Sequence, residues 1–237
     1  KNLNEVRDFL AAAPADLEGL PPEFVARLAA LPHGRRKVTL DYPDSGPFLA
    51  NAKRPEARRA MYGLINSRAV PDNVALLEQI LELRLRVARA LGYPSYGHYI
   101  LEERMAKEPE AVLGFLSRLR ARLEAKAAPE RERLLALKRS ELPGSERLEP
   151  WDLAYYHNKL RKTAYDLDEF ELAEYFPAER VVAGVMELYA GLFGVRFSPA
   201  PAEAWHPDAR PFDCVDAGTG KTLGRFYLDL FPREGKY

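Results

Sequence analysis

The sequence Gly224-Arg-Phe-Tyr-Leu-Asp-Leu-Phe-Pro-Arg-Glu-Gly-Lys-Tyr237 contains the clearest strand pattern of the chain. Phe226, Leu228 and Leu230 fall on one face of an extended backbone, and Arg225, Tyr227 and Asp229 fall on the other. This period of two is typical of a half-buried strand. Pro232 ends the pattern because proline has no backbone N–H to donate to the hydrogen bonds between strands. The sequence therefore predicts a strand over residues 222–230.

Two further short strands are predicted just before this one, over residues 195–197 and 212–215. The segment Gly218-Thr219-Gly220-Lys221-Thr222 joins the last two strands and resembles a phosphate-binding loop. A complete loop of that kind needs glycine at position 215, where the chain has Val215, and a helix after it. Because a strand follows instead, the segment is predicted to be a hairpin turn.

Upstream of Gly194 the apolar residues recur every three or four positions, which is typical of helices. Two helices are predicted to bury such stripes: one through Val74, Leu77, Leu81, Leu85, Ala88 and Leu91, the other through Val181, Val185, Leu188 and Leu192. The segment Leu3–Leu10 is also predicted to be helical, and Val/Leu alternation predicts a short strand over 37–42. The fold class is therefore mainly α: a helical bundle-like body, a short strand near residue 40, and a small C-terminal β-hairpin or three-stranded sheet.

Pro129 is predicted to break or kink a long helix, and Pro143-Gly144-Ser145 is the clearest loop. We place a boundary there. Residues 1–142 are predicted to form a helical segment with one short strand, and residues 143–237 to form helices followed by the small sheet.

Composition restricts the classes of partner. Lys and Arg number 35, as do Asp and Glu, so no overall charge favours nucleic acid or an anionic membrane. The longest apolar segment is too short to span a bilayer. The single cysteine, Cys214, excludes an intramolecular disulfide and is interpreted as a half-buried strand residue. We expect a cytoplasmic protein that binds neither nucleic acid nor membrane.

Three other groups of residues have functional and structural interpretations. His98 and Glu102 lie four residues apart, but two ligands do not make a zinc site. Trp151, Tyr155, Tyr156 and His157 form an aromatic cluster that fits a peptide groove or, as we favour, core packing. His206 is expected to form a structural hydrogen bond.

Several runs resemble the thimet oligopeptidase and neurolysin family of zinc metallopeptidases. The most specific are the C-terminal fourteen residues and the run Ala204-Trp-His-Pro-Asp-Ala-Arg210. The resemblance continues upstream through Pro150-Trp-Asp152 with Tyr155-Tyr156, Glu174-Tyr-Phe-Pro177, Leu20-Pro-Pro-Glu-Phe24 and Lys37-Val-Thr-Leu40. It covers nearly the whole chain.

The resemblance implies a longer parent protein, a zinc endopeptidase of short peptides with a deep channel. In that family a His-Glu-x-x-His motif holds zinc, and none of His33, His98, His157 or His206 has that context. We therefore expect no catalytic residue, metal ligand or cofactor in this chain, with zinc belonging to the parent. Residues 143–237 are then a partial catalytic domain without the zinc-binding helix, and the chain alone is inactive. The alternative is a complete, non-catalytic helical module that binds peptides or a protein partner.

Tyr227, Asp229, Arg233 and Lys236 are the candidates for peptide contact. The strand alternation places Tyr227 and Asp229 away from the apolar face, and Arg233 and Lys236 follow just beyond the strand. Lys and Arg can pair with a peptide carboxylate, and a free strand edge can align an extended peptide. The expected partners are short peptides and the missing C-terminal part of the same protein.

Overall fold

The computed structural model describes residues 6–233 and Lys236, except for the side chain of Pro71, and these residues are mainly α-helical as predicted. The helices are α1 (Pro22–Arg27), α2 (Tyr42–Asn51), α3 (Pro55–Asn66), α4 (Val70–Ala90), α5 (Tyr96–Leu101), α6 (Pro109–Glu141), α7 (Leu153–Tyr165), α8 (Glu169–Glu174) and α9 (Ala178–Phe193). The strands are β1 (Phe9–Ala12), β2 (Arg36–Thr39), β3 (Val195–Pro199), β4 (Arg210–Asp216) and β5 (Thr222–Leu228). The described residues divide into two compact units, the first ending at Asp166 and the second beginning at Leu167.

The first unit contains a two-stranded antiparallel sheet in which Phe9 pairs with Thr39 and Ala12 with Arg36. The helix predicted over Leu3–Leu10 is therefore wrong where it can be checked, because β1 begins at Phe9; residues 3–5 lie outside the described residues. A four-residue apolar run fits a helix or a strand equally well. The ladder with β2 decides between them, since it satisfies the backbone groups of both segments. Residues 1–142 therefore contain a second short strand, β1, beside the one predicted over 37–42, which the structure places at Arg36–Thr39.

A hydrophobic core fills the first unit between this sheet and helices α1 to α3. It consists of Ala12, Leu20, Phe24, Leu28, Val38, Leu40, Phe48, Ala52, Ala57 and Met61. A smaller cluster joins α6 and α7 through Leu134, Tyr155 and Tyr156. The segment 143–166 packs within this first unit, so the Pro143–Ser145 loop connects two of its elements.

A buried ionic network connects α3, α6 and the start of α7. Arg58 and Asp152 are both completely buried, and Arg58 Nη2 donates to Asp152 Oδ1 at 2.8 Å. Lys138 Nζ donates to Asp152 Oδ2 at 2.6 Å. Arg58 also donates to the carbonyl oxygens of Ala52 and Lys53, both at 2.8 Å. One carboxylate is therefore shared by two cations in the interior, an arrangement that is sensitive to removal of any member.

The aromatic cluster at the start of α7 belongs largely to the core, as the favoured interpretation predicted. Tyr156 is buried, and the guanidinium carbon of Arg58 lies 4.2 Å from the ring centroid of Tyr155. Burial, followed by the charge of Glu141, raises the pKa of Tyr155 to about 12. His157 is exposed and lies outside this packing.

The apolar stripe predicted to be buried along α4 is mostly exposed. Leu77 and Leu81 are 54% and 56% exposed, and within the stripe Ala88 alone is buried. A three-and-four spacing shows that a helix has an apolar face but not that its covering partner lies in the same 237 residues. The break predicted at Pro129 is also absent, because α6 runs continuously from Pro109 to Glu141.

The second unit packs α9 against a three-stranded antiparallel sheet of order β3-β4-β5. Gly194 ends α9 with φ of 64°, a left-handed conformation that glycine adopts without strain. The stripe Val181, Val185, Leu188 and Leu192 is exposed, contrary to the prediction of burial. Throughout the described residues, no helix has both the length and the apolar character needed to cross a bilayer.

Candidate functional site

The predicted alternation of β5 is present between Arg225 and Leu228. The ring of Phe226 lies 5.6 Å from that of Phe197 and 5.7 Å from that of Phe212, centroid to centroid. On the opposite face Arg225 pairs with Asp213. Leu230 departs from the prediction: β5 ends at Leu228, and Leu230 is 47% exposed beyond the strand.

The apolar face of this sheet is the one that carries α9. Arg210 lies opposite Leu228 in the β4–β5 register, and paired residues share a face. Arg210 Nη1 donates to Glu179 Oε2 of α9 at 2.8 Å. Because α9 covers this side, Tyr227 and Asp229 point away from it.

Asp229 is the centre of a polar cluster just beyond the end of β5. Its carboxylate accepts hydrogen bonds from Arg233 Nη1 and Nη2 at 2.5 and 2.6 Å and from Trp205 Nε1 at 3.1 Å. Lys236 Nζ donates to the same carboxylate at 3.2 Å. The hydrogen bond from Arg233 is the main cause that holds the pKa of Asp229 far below its usual range, against the opposing effect of desolvation. This carboxylate is therefore ionised and fixed in orientation.

An aromatic pair adjoins the carboxylate. The rings of Trp205 and Tyr227 lie 4.8 Å apart, and the Tyr227 hydroxyl donates to the Glu203 carbonyl at 3.3 Å. Trp205 remains 62% exposed, so one indole surface is open to solvent. The structure thus brings together all four predicted residues. We call Tyr227, Asp229, Arg233 and Lys236, together with Trp205, the β5-end cluster.

Trp205 is the member that reasoning from sequence missed as a contact residue. The signal was its place in the Trp205-His206-Pro207-Asp208 run, but no periodicity connects that run to β5, which begins 14 positions after Asp208. His206 forms the expected structural bond, since its Nδ1 accepts from the Asp208 amide at 3.1 Å.

The two cations of the β5-end cluster differ in their capacity for a further partner. Lys236 Nζ contacts three acceptors: the carbonyl of Asp229 at 2.5 Å, its carboxylate, and the carbonyl of Phe231 at 2.9 Å. An ammonium has three N–H groups, so these contacts account for all of them. Arg233 has five N–H groups and places two on Asp229. Arg233 therefore retains donors for an additional anionic group, and one Asp against two cations leaves the cluster with one net positive charge.

The outer edge of β5 adds a second kind of binding element. In the sheet order β3-β4-β5, β5 pairs with β4 and, among the described residues, with no other strand. Its unpaired N–H and C=O groups can accept an extended peptide as a further strand. The edge and four members of the β5-end cluster, all except Trp205, belong to the same short segment.

The remaining candidates have structural partners. The 216–222 segment is the predicted hairpin turn, in which Asp216 Oδ1 accepts from the amides of Gly218 and Thr219 at 3.1 and 2.6 Å. His98 Nδ1 contacts Ser95 Oγ at 2.9 Å, whereas Glu102 accepts from Tyr93. Over residues 6–233 and Lys236 no three His, Cys, Asp or Glu side chains are grouped closely enough to hold a metal ion. The described donor set therefore does not fit zinc.

Comparisons with known proteins agree on one family. The model of peptidase family M3 matches residues 48–237. The chain is 33% identical over 237 residues to a probable thimet oligopeptidase of Arabidopsis thaliana, covering all of this chain and 33% of that protein. It is 32% identical over 235 residues to oligopeptidase A of Escherichia coli, covering 94% of this chain and 34% of that protein. Saccharolysin of Saccharomyces cerevisiae is 29% identical over 255 residues, and the match covers 100% of this chain and 36% of that protein. The chain thus spans about a third of the length of the curated relatives it matches.

Proposed function

The chain belongs to peptidase family M3, and we propose that it is part of a zinc-dependent metalloendopeptidase that cleaves short peptides. The observation that carries this proposal is the family match over residues 48–237, combined with relatives named as oligopeptidases along the whole chain. Those relatives are about three times as long. In this proposal the 237 residues supply part of the channel wall and part of the sheet beside the active site. The remainder of a longer protein supplies the zinc ligands.

Within that protein, residues 143–237 are part of the catalytic domain, with residues 143–166 packed on the preceding helices, and the β5-end cluster contacts the peptide. Arg233 pairs with a peptide carboxylate, and Asp229 holds the guanidinium in place before substrate arrives. Fixing a charged donor in advance lowers the ordering cost of binding. Lys236 contributes charge and holds the turn, while Trp205 and Tyr227 offer an aromatic surface for a peptide side chain. The outer edge of β5 aligns the peptide backbone.

Zinc enters this proposal through the longer protein alone. When bound there, a metal of this kind polarises a water for attack on the scissile carbonyl. No residue described here is assigned a step in that reaction. The chain by itself is proposed to be inactive, and the longer protein to be cytoplasmic and free of nucleic acid and membrane partners. Besides short peptides, the partner of this chain is the polypeptide that completes the peptidase.

The test is to extend the reading frame downstream of Tyr237 and to assay both lengths of protein. A His-Glu-x-x-His codon run, zinc bound by the longer protein, and chelator-sensitive cleavage of short peptides would support the proposal. An in-frame stop after Tyr237, with peptide binding by the 237-residue chain and no cleavage, would instead support the alternative of a complete non-catalytic binding module.

A further inference from the structure

Helix α9 has a groove on the side that faces away from its own sheet. The groove has a volume of about 530 Å³ and is lined by Gly184, Glu187, Leu188, Gly191 and Leu192. Leu188 and Leu192 are 67% and 68% exposed, and a side chain added at either glycine would meet nothing within 4 Å. The groove is therefore open and apolar, with Glu187 on its rim.

The spacing of these residues fits a second helix. Gly184 and Gly191 are seven residues apart, which is about two helical turns, so both glycines lie on one side of α9 and each leaves a notch in its surface. Leu188 lies between them, and Leu192 follows one residue after the second notch. Missing side chains at regular positions let another helix approach closely and insert its own apolar side chains between the leucines. A strand would not repeat its side chains at this interval.

A groove of this kind exposed in solution needs a covering partner. The face carries the three-and-four stripe typical of a buried helix, and Val181 and Val185 extend it toward the N-terminus at 41% and 46% exposure. The family match includes α9, and the matched relatives contain about twice as much additional polypeptide as this chain provides. The partner indicated by these facts is therefore a segment of the same longer protein.

We propose that the α9 groove docks an amphipathic helix from the part of the longer peptidase outside these 237 residues. The docked helix carries apolar side chains toward Gly184 and Gly191 and a basic residue opposite Glu187. This inference rests on the proposed function only in taking the chain to be part of a longer protein. It requires neither zinc binding nor peptide contact at the β5-end cluster.

The test is hydrogen exchange of the α9 amides in the 237-residue chain and in the longer protein. We expect exchange to be about 100-fold slower in the longer protein, because burying two largely exposed leucines opposes local opening. Equal exchange rates in the two proteins would overturn the proposal. Because this comparison uses unaltered sequences, it stands even where a variant does not fold.

Variants locate the contact on the groove. Leu188→Asp with Leu192→Asp should lower the melting temperature of the longer protein and leave that of the 237-residue chain nearly unchanged. The matched control is Ala183→Asp, on an exposed position about half a turn away from Leu192 on the same helix. Equal melting shifts for groove and control variants would contradict the proposal.

Sedimentation tests the remaining candidate for the occupant of the groove, a second copy of the 237-residue chain. A dimer of the 237-residue chain that Leu188→Asp with Leu192→Asp dissociates would assign the groove to a second copy and overturn the proposal. Because exchange and melting are measured without substrate, an inactive longer protein with a protected α9 would contradict the proposed function while supporting this docking site. An active enzyme with an unprotected α9 would do the reverse.

Discussion

Arg233 places both terminal guanidinium nitrogens on the carboxylate of Asp229, with Nη1–Oδ1 and Nη2–Oδ2 distances of 2.5 and 2.6 Å. This bidentate pair orients the guanidinium and leaves further N–H groups for another acceptor. The same carboxylate anchors Trp205 and Lys236. Asp229 is therefore the positioning residue of the β5-end cluster, and Arg233 is its best candidate for contact with a peptide carboxylate.

Replacing Arg233 with Ala in the longer protein should reduce kcat/KM for short peptides about 10- to 100-fold, because a charged donor to the substrate is lost. Lys236→Ala should reduce it less, since its donors already serve acceptors within the cluster. Arg210→Ala is the control, because it breaks an ion pair on the α9 side of the same sheet. Melting temperatures measured beside the kinetics distinguish a role in substrate contact from a role in stability. Normal kinetics with lowered stability in Arg233→Ala would end the substrate-contact proposal.

Asp229→Asn should make the folded protein less stable at neutral pH, by an amount that shrinks progressively in acid. The bonds led by Arg233 lower the pKa of Asp229 in the folded state, whereas an unfolded aspartate titrates at about 3.9. A lowered folded-state pKa stabilises above the unfolded value, and this stabilisation is lost as pH falls through the folded value. The difference in melting temperature between wild type and Asp229→Asn should therefore shrink below about pH 4. A difference that stays constant with pH would exclude this charge effect.

Asp152→Ala should destabilise the 237-residue chain by about 3–5 kcal/mol, because it leaves Arg58 and Lys138 buried without their shared carboxylate. Glu132→Ala is the contrast, since it breaks an exposed pair with Arg139 and should cost about 0–1 kcal/mol. Urea unfolding of both variants measures the difference. Equal losses would show that the buried network contributes no more than a surface ion pair.

Trp205 should report peptide binding by fluorescence. The chain has two tryptophans, so Trp151→Phe leaves Trp205 as the single indole of these 237 residues. In the longer protein, freed of metal to prevent cleavage, peptide addition should quench or shift this emission because Trp205 is exposed beside Tyr227. The reciprocal variant, Trp205→Phe, should show no such change. A response confined to Trp151 would place the peptide elsewhere.

Local patterns predicted the elements whose own residues determine their conformation. The alternation from Arg225 to Leu228 gave the strand, the Asp216–Thr222 turn gave the hairpin, and Gly194 gave the end of α9. Each depends on side-chain direction, turn chemistry or backbone freedom within a few residues. The grouping of Tyr227, Asp229, Arg233 and Lys236 follows from their places on or just beyond one strand face, whereas peptide contact by these residues stays a prediction.

Features that depend on distant partners were not predicted. β1 forms because β2 pairs with it across 24 to 30 positions of sequence, and that pairing leaves no mark on the run Phe9–Ala12. Arg58 lies on an otherwise ordinary helix, and its burial depends on Asp152, 94 positions later. The stripes of α4 and α9 indicated apolar faces correctly, but periodicity does not say which polypeptide covers them.

Peptide cleavage with and without a chelator, measured on the 237-residue chain and on the longer protein, tests the central claim most directly. We expect the longer protein to cleave short peptides, to stop when its metal is removed, and to recover on addition of zinc. The 237-residue chain should neither retain stoichiometric zinc after dialysis nor cleave. Two results would contradict the claim. One is stoichiometric zinc in the 237-residue chain together with chelator-sensitive cleavage, and the other is cleavage by the longer protein that the chelator does not affect.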